Sequence, residues 1–305
     1  MQLPYFLERI GWFSVNLFYS LSVLLNPRES AKAVKDHLSR IKGVFPRENT
    51  NGVIFFACND QFMKRFGYSL IFSCYENVRE CGVHVHLYEP SAEILQHLAS
   101  MREKFSDMNL SYTYEYDIDL GSLPEHGIYY TAFRFVTVRK ILEESKSLIV
   151  CLDADSLIMN SLQYVLANAR QHDVGLYFRL KRRRLNKKIA AFCVIFNNTK
   201  KSLAFINFFS GISIKFQKKY PRIRPHFHFY FDQSGLYFSY LFSKFKERLS
   251  FYSIGKNVAD YEFSDHACIW TAKGNRKSNE VFLQESRRIL EKYAAALNSE
   301  ANDGV

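Results

Sequence analysis

The chain has 305 residues, 48% of them apolar, enough to bury a sizeable core as one large α/β domain with small terminal additions. Its 41 basic and 30 acidic residues leave a formal charge of +11, a balance that suits an anionic small ligand, an anionic membrane surface or nucleic acid. Aromatic residues make up 16% and are scattered through every apolar segment rather than interleaved with one basic patch, so nucleic acid is not the expected partner.

Residues 1–25 are rich in Leu, Phe and Ser but include Glu8, Arg9 and Asn16, and the apolar run is too short to cross a bilayer. A buried or membrane-surface helix is expected there, rather than a signal peptide or a span. Asn26-Pro27-Arg28-Glu29 reads as a helix start with Asn as N-cap, and Ala31, Val34, Leu38 and Ile41 recur at helical spacing up to Gly43. Residues 53–58 (Val-Ile-Phe-Phe-Ala-Cys) predict a strand buried on both faces, followed by polar Asn59-Asp60-Gln61 and a helical stretch ending near Gly82. Strand 83–88, helix 92–105, strand 110–116 and helix 129–144 then lead into a strand over 147–152 that stops at Asp153. Strands over 174–178 and 189–196 are separated by a basic run, 179–188. Helices over 200–218 and 232–246, a short strand near Phe251, a C-terminal helix over 279–297 and a disordered tail complete the chain. Alternating strand and helix imply a central sheet, mostly parallel, covered on both sides. The expected boundaries are an N-terminal helical segment 1–48, a catalytic domain 49–275, and a C-terminal helix and tail 276–305.

Chemistry is expected at Asp153, because ligands of open α/β sheets bind beyond the carboxyl ends of the strands. Residues i and i+2 of an extended chain face the same way, so Asp153 and Asp155 can project together. Two convergent carboxylates suit Mg²⁺ or Mn²⁺, hard cations that complete their shell with water and substrate phosphates. The bland alternative is one Asp capping a turn and the other solvated. An aspartate-nucleophile phosphohydrolase also begins from an apolar strand and DxD, but there the motif lies near the chain start, and here its fifth residue is Leu157.

Residues 52–274 resemble glycosyltransferases of the GT-A fold, especially the group (family 8) that contains glycogenin and the bacterial lipopolysaccharide galactosyltransferases. The likeness lies in Phe56-Ala57-Cys58-Asn59-Asp60-Gln61-Phe62, Ala132-Phe133-Arg134-Phe135, the run 148–155 with its two Asp residues, Phe192-Cys193-Val194-Ile195-Phe196-Asn197-Asn198, and Asp232-Gln233, in that order. The resemblance implies a mixed, mostly parallel sheet and a retaining transfer of a hexose-like unit from a nucleotide sugar, a UDP-sugar first among candidates, to a hydroxyl of a glycan or lipid-linked acceptor. It implies Asp153 and Asp155 as ligands of Mn²⁺ or Mg²⁺, and Asn59, Asp60 and Phe62 as the nucleotide site. Arg134 and Lys273 would support the phosphates, and Asp232 and Gln233 would contact donor sugar or acceptor. The sequence departs from the family where Thr271 stands in place of a late metal-binding His. His266, a few residues earlier, is the candidate substitute. A non-catalytic binding protein that kept the fold after losing that ligand is the alternative.

The basic run 179–188 suits diphosphate, a phosphorylated acceptor or acidic lipid headgroups, and with the N-terminal helix it makes peripheral membrane contact an expectation. His226 and His228 would share a face of an extended segment, but lack partners at zinc spacing apart from Asp232. The six cysteines show no CxxC pair and read as reduced core thiols, which favours a cytoplasmic setting. GxxxxGK(S/T), GxGxxG and GxSxG are absent, which removes the usual entry points to ATP-dependent, nicotinamide and serine-hydrolase chemistry.

Overall fold

Runs of Val, Ile, Phe and Cys bounded by helix signals form the buried strands that their composition calls for. The computed structural model describes residues 5–121, 123, 125–219, 231–246 and 248–298. His226 and His228 lie outside them, as does the tail 299–305. In chain order the main elements are α1 (Tyr5–Leu25), α2 (Pro27–Leu38), β1 (Lys42–Val44), β2 (Val53–Cys58), α3 (Asp60–Phe62), α4 (Tyr68–Asn77), β3 (Gly82–Tyr88), α5 (Ala92–Lys104), β4 (Leu110–Glu115), α6 (His126–Ser145), β5 (Ile149–Leu152) and β6 (Ser156–Ile158). There follow α7 (Gln163–Ala169), β7 (Val174–Phe178), β8 (Ile189–Phe196), α8 (Lys200–Lys219), α9 (Phe231–Lys246), β9 (Phe251–Ser253), β10 (Ala259–Asp260), β11 (Ile269–Thr271) and α10 (Glu280–Asn298).

Among the described residues one sheet holds eight strands in the order β1-β4-β3-β2-β5-β8-β7-β9. Its centre, β4 to β5, is parallel, whereas β8 runs antiparallel to both β5 and β7. The basic loop between β7 and β8 is too short for a parallel crossover, so the pair closes as a hairpin, bulged between Leu176 and Tyr177. The sheet is therefore mixed and mostly parallel, flanked by helices, as expected. Side-chain alternation assigns the two faces: Ile54 and Phe56 join the core beneath α4 and α5, whereas Val53 and Phe55 join the one beneath α6, α8 and α9.

A smaller three-stranded sheet, β10-β11-β6, was not anticipated, because strands of two or three residues carry too little alternation to be read. It places the site: β5 of the large sheet passes through Asp153-Ala154-Asp155 directly into β6 of the small one. One further expectation changes in detail. Pro27 does open α2, but the Asn26 side chain makes no capping hydrogen bond. All six cysteines are free, five buried and Cys268 half-buried.

Candidate functional site

The backbone of the two-aspartate motif is held from both sides. Asp153 N donates to Phe192 O (3.0 Å) on β8, and Ala272 N, just past β11, donates to Asp155 O (2.8 Å). These bonds fix the exit from β5 and leave both carboxylates at a cleft beyond the strand end.

Two adjoining cavities form that cleft. The smaller, about 180 Å³, is lined by Ala57, Cys58, Asn59, Phe62 and Tyr130 at one end. The larger, about 420 Å³, has Asp232, Gln233, Lys273 and Gly274 in its wall. Both share a charged waist made by Arg134, Asp153, Asp155 and Lys277. The arrangement is thus an aromatic lobe, a waist of paired charges and a polar lobe, within the usual size of a small-molecule site, about 300–1,000 Å³.

At the waist every carboxylate faces a cation. Arg134, buried on α6, donates from Nη1 to Asp153 Oδ1 and from Nη2 to Ala191 O (2.9 Å), with Nη2 also 3.6 Å from Asp232 Oδ2. Burial alone would raise the Asp153 carboxyl, but the Arg134 charge, then Lys273, holds it below its ordinary range. Asp155 pairs with Lys277 (Nζ to Oδ2, 2.9 Å). Burial, with Asp153 adding to it, still pushes Asp155 up to about 6 against the pull of Lys277. Asp232 is raised as well, by burial, with Arg134 opposing. The Lys277 ammonium also lies over the Phe62 ring, 4.4 Å from its centroid, so it touches both the waist and the aromatic lobe.

The predicted residues divide. Asp153, Asp155, Arg134, Asn59, Phe62, Lys273, Asp232 and Gln233 all line the cleft. Asn59 Oδ1 is engaged as the N-cap of α3, accepting from Phe62 N (3.1 Å), and Gln233 Oε1 accepts from Arg179 Nη2 (2.8 Å). Asp60 lines neither cavity. Its Oδ2 accepts from Ser91 N (3.0 Å), so its carboxylate serves the start of α5. His266 is exposed and also outside the cleft, and among the described residues no three His, Cys, Asp or Glu side chains gather as a metal-ligating group. His266 therefore does not complete a ligand set with Asp153 and Asp155. Thr271 sits beside the motif in the register of β11 with β6, but is fully buried, with its hydroxyl 3.0 Å from Ser156 Oγ.

Two carboxylates at one rim are the donors a hard cation selects. Here each already has a nitrogen partner, and a divalent ion within about 4 Å of both cations would meet several kcal/mol of repulsion from each at an effective dielectric of about 20. As they stand, these residues do not fit a bound divalent ion.

Sequence reasoning missed Lys277, Tyr130, Thr131 and Gly127. The last three had a signal: positions 127, 130 and 131 precede Arg134 by seven, four and three residues, one face of a helix. Lys277, in a short turn after β11, had none beyond the Arg276-Lys277 pair.

No protein-family model and no curated protein matches the sequence. Solved structures do match. The glycosyltransferase GlyE of Streptococcus pneumoniae TIGR4 aligns at 14% identity and a TM-score of 0.50, over 81% of this chain and 64% of that one. The galactosyltransferase LgtC, solved in complex with donor and acceptor sugar analogues, aligns at 13% and 0.53, over 80% of this chain and 99% of that one. An active-site mutant of LgtC aligns at 11% and 0.54, over 79% of this chain and 95% of that one. The chain has the GT-A glycosyltransferase fold. It spans about two thirds of the GlyE chain and nearly all of LgtC. In this GT-A frame the cleft lies at the carboxyl end of β5, the position from which open α/β sheets reach their ligands.

Proposed function

We propose that the protein transfers a sugar from a nucleoside-diphosphate sugar, a UDP-sugar as the first candidate, to a hydroxyl of a glycan or lipid-linked acceptor. The observation that carries this reading is the three-part cleft. A nucleoside suits the aromatic lobe of Phe62 and Tyr130, a diphosphate the cationic side chains of the waist, and a hexose the polar lobe of Asp232 and Gln233. Arg134, Lys273 and Lys277 would steady the charge that develops on the departing diphosphate, a task suited to preorganised cations in a partly dry site. Retention at the anomeric carbon is the course we adopt from the resemblance, with Asp232 and Gln233 beside the sugar. We extend the reading to a membrane-borne acceptor, since exposed Leu17, Phe18, Leu21 and Leu25 on α1 offer a surface for peripheral contact.

The phosphohydrolase alternative predicts release of phosphate from simple phosphomonoesters through a covalent aspartyl-phosphate, and absence of both separates it from sugar transfer.

Thermal unfolding of the purified chain with UDP, GDP, ADP and their sugars, with and without Mn²⁺, selects the donor, because a ligand that binds only the folded state raises the apparent Tm. Release of nucleoside diphosphate from the selected sugar then reports turnover, and NMR of the product gives its anomer. Binding without any release or transfer would favour the non-catalytic alternative, and no shift with any nucleotide would end the proposal.

A further inference from the structure

The two-aspartate motif carries its own counter-ions, and one of them, Lys277, is paired with the second aspartate at the cleft wall. Lys277 Nζ lies 2.9 Å from Asp155 Oδ2 and 4.4 Å from the centroid of Phe62, between the motif and the aromatic lobe. An ammonium has three donors, so one bond to Asp155 leaves two for phosphate oxygens. The side chain is half-buried at the cleft wall, and Phe62 and Asp155 hold the ammonium from two sides. On the other side of the waist, Asp153 and Ala191 O hold the Arg134 guanidinium. Thr271, which by the resemblance stands where a third metal ligand, a His, would fall, directs its hydroxyl at Ser156.

We infer that Lys277, oriented by Asp155, takes the place of the divalent cation and binds the donor's diphosphate directly, so that the chain binds its nucleotide without metal. Asp155 is then a positioning residue for an ammonium rather than a metal ligand. This rests on the nucleotide-sugar reading above and specifies how that donor is gripped.

Calorimetric titration of the full chain with UDP, GDP and ADP, in EDTA and in Mn²⁺, tests it. The expected result is binding in EDTA with a Kd within about threefold of that in Mn²⁺. Lys277→Ala should weaken binding in EDTA by about tenfold or more, the loss of one charge-assisted contact. Added Mn²⁺ should then recover part of that loss, because Asp155 is released to ligate a metal. Lys277→Arg should keep most of the EDTA affinity. Wild-type binding that vanishes in EDTA and returns with Mn²⁺ overturns the inference but leaves the nucleotide-sugar reading intact, and that comparison needs no variant to fold. An unchanged EDTA affinity in a folded Lys277→Ala also overturns it. Absence of binding to every nucleotide in both buffers overturns both.

Discussion

Arg134 shows how far one side chain governs the cleft. Its guanidinium reaches Asp153, Asp232 and a β8 carbonyl from a nearly solvent-free position on α6. Arg134→Met would keep much of the volume and leave buried Asp232 and half-buried Asp153 without that counter-charge. Removing one partner of a buried pair costs about 3–5 kcal/mol. The variant is accordingly expected to unfold at clearly lower denaturant, with Asp153 losing the influence that keeps its carboxyl low. Equilibrium urea unfolding measures this, and a loss below about 1 kcal/mol, the range of an exposed ion pair, would show that the waist is not held by this residue. At this scale the sequence was informative where chemistry and position coincide. The two aspartates follow an apolar strand and Arg134 sits in a helix whose spacing can be counted, so both could be named. Asp60 could not be judged: one of its carboxylate oxygens accepts from Ser91 N, a partner thirty-one residues away that no local pattern reveals.

The long, strongly patterned elements were legible. β2, β5 and β8 read as buried strands because both faces are apolar, β3 because Val83, Val85 and Leu87 alternate along it, and α5, α8, α9 and α10 because helical periodicity persists over several turns. The small sheet was not, since its strands are two or three residues long and β6 is joined to β11 by partners more than a hundred residues apart along the chain, as in Thr271 with Ser156. α1 has a tertiary role that its composition alone left open. It buries Asn16, Tyr19 and Val23 and exposes Leu17, Phe18, Leu21 and Leu25, the last 77% accessible. The turn Leu185–Lys187 packs near α1, and Lys181, Arg182 and Arg183 of the same basic loop are exposed. No helix among the described residues is long and apolar enough to cross a membrane. An apolar ridge together with an exposed basic loop suits an interfacial contact, to which each Lys or Arg near an anionic surface contributes about 1 kcal/mol. The expected outcome is co-sedimentation with vesicles containing anionic lipid, weakened by high salt and reduced about tenfold or more by Phe18→Ser with Leu25→Ser. Equal binding to neutral vesicles would remove the electrostatic half of the argument, and unchanged binding by the double variant the apolar half.

At the scale of the whole molecule, a buried polar cluster joins the N-terminal helices to the sheet and sets how stability responds to acid. His84 bonds Ser111 and Thr113, His86 reaches Thr113 and Glu115, and Glu115 accepts from Tyr129 on α6 while facing His37 of α2 at 3.9 Å. Burial lowers His37 to about 4, against the attraction of Glu115 and with Arg40, His86 and Lys218 adding to the shift, and burial, with His86, drives His84 well down. Both imidazoles stay neutral in the folded chain at pH values where the unfolded chain, with ordinary values near 6.5, takes up protons. Their contribution to stability is complete above pH 6.5 and is lost as pH falls from there toward 4, at a scale of about 1.4 kcal/mol per pKa unit. Asp155 acts in the opposite sense: raised to about 6, it adds stability as pH falls through 6, so it offsets the histidines only in the lower part of that window. Glu115, which burial opposes but His86 and His37 hold low, adds a further loss below the ordinary carboxylate range. Tm should therefore be nearly flat above pH 7, fall on the order of 3 °C between pH 7.5 and 6 at constant ionic strength, and go on falling below that, because one carboxyl offsets at most one of the two imidazoles. His37→Phe, which keeps a ring against Phe133, should remove about half of that fall if it folds. A Tm independent of pH from 7.5 to 6 in the wild-type chain would mean that these histidines are hydrated or already charged, and that the cluster does not join α2 to the sheet in the way described.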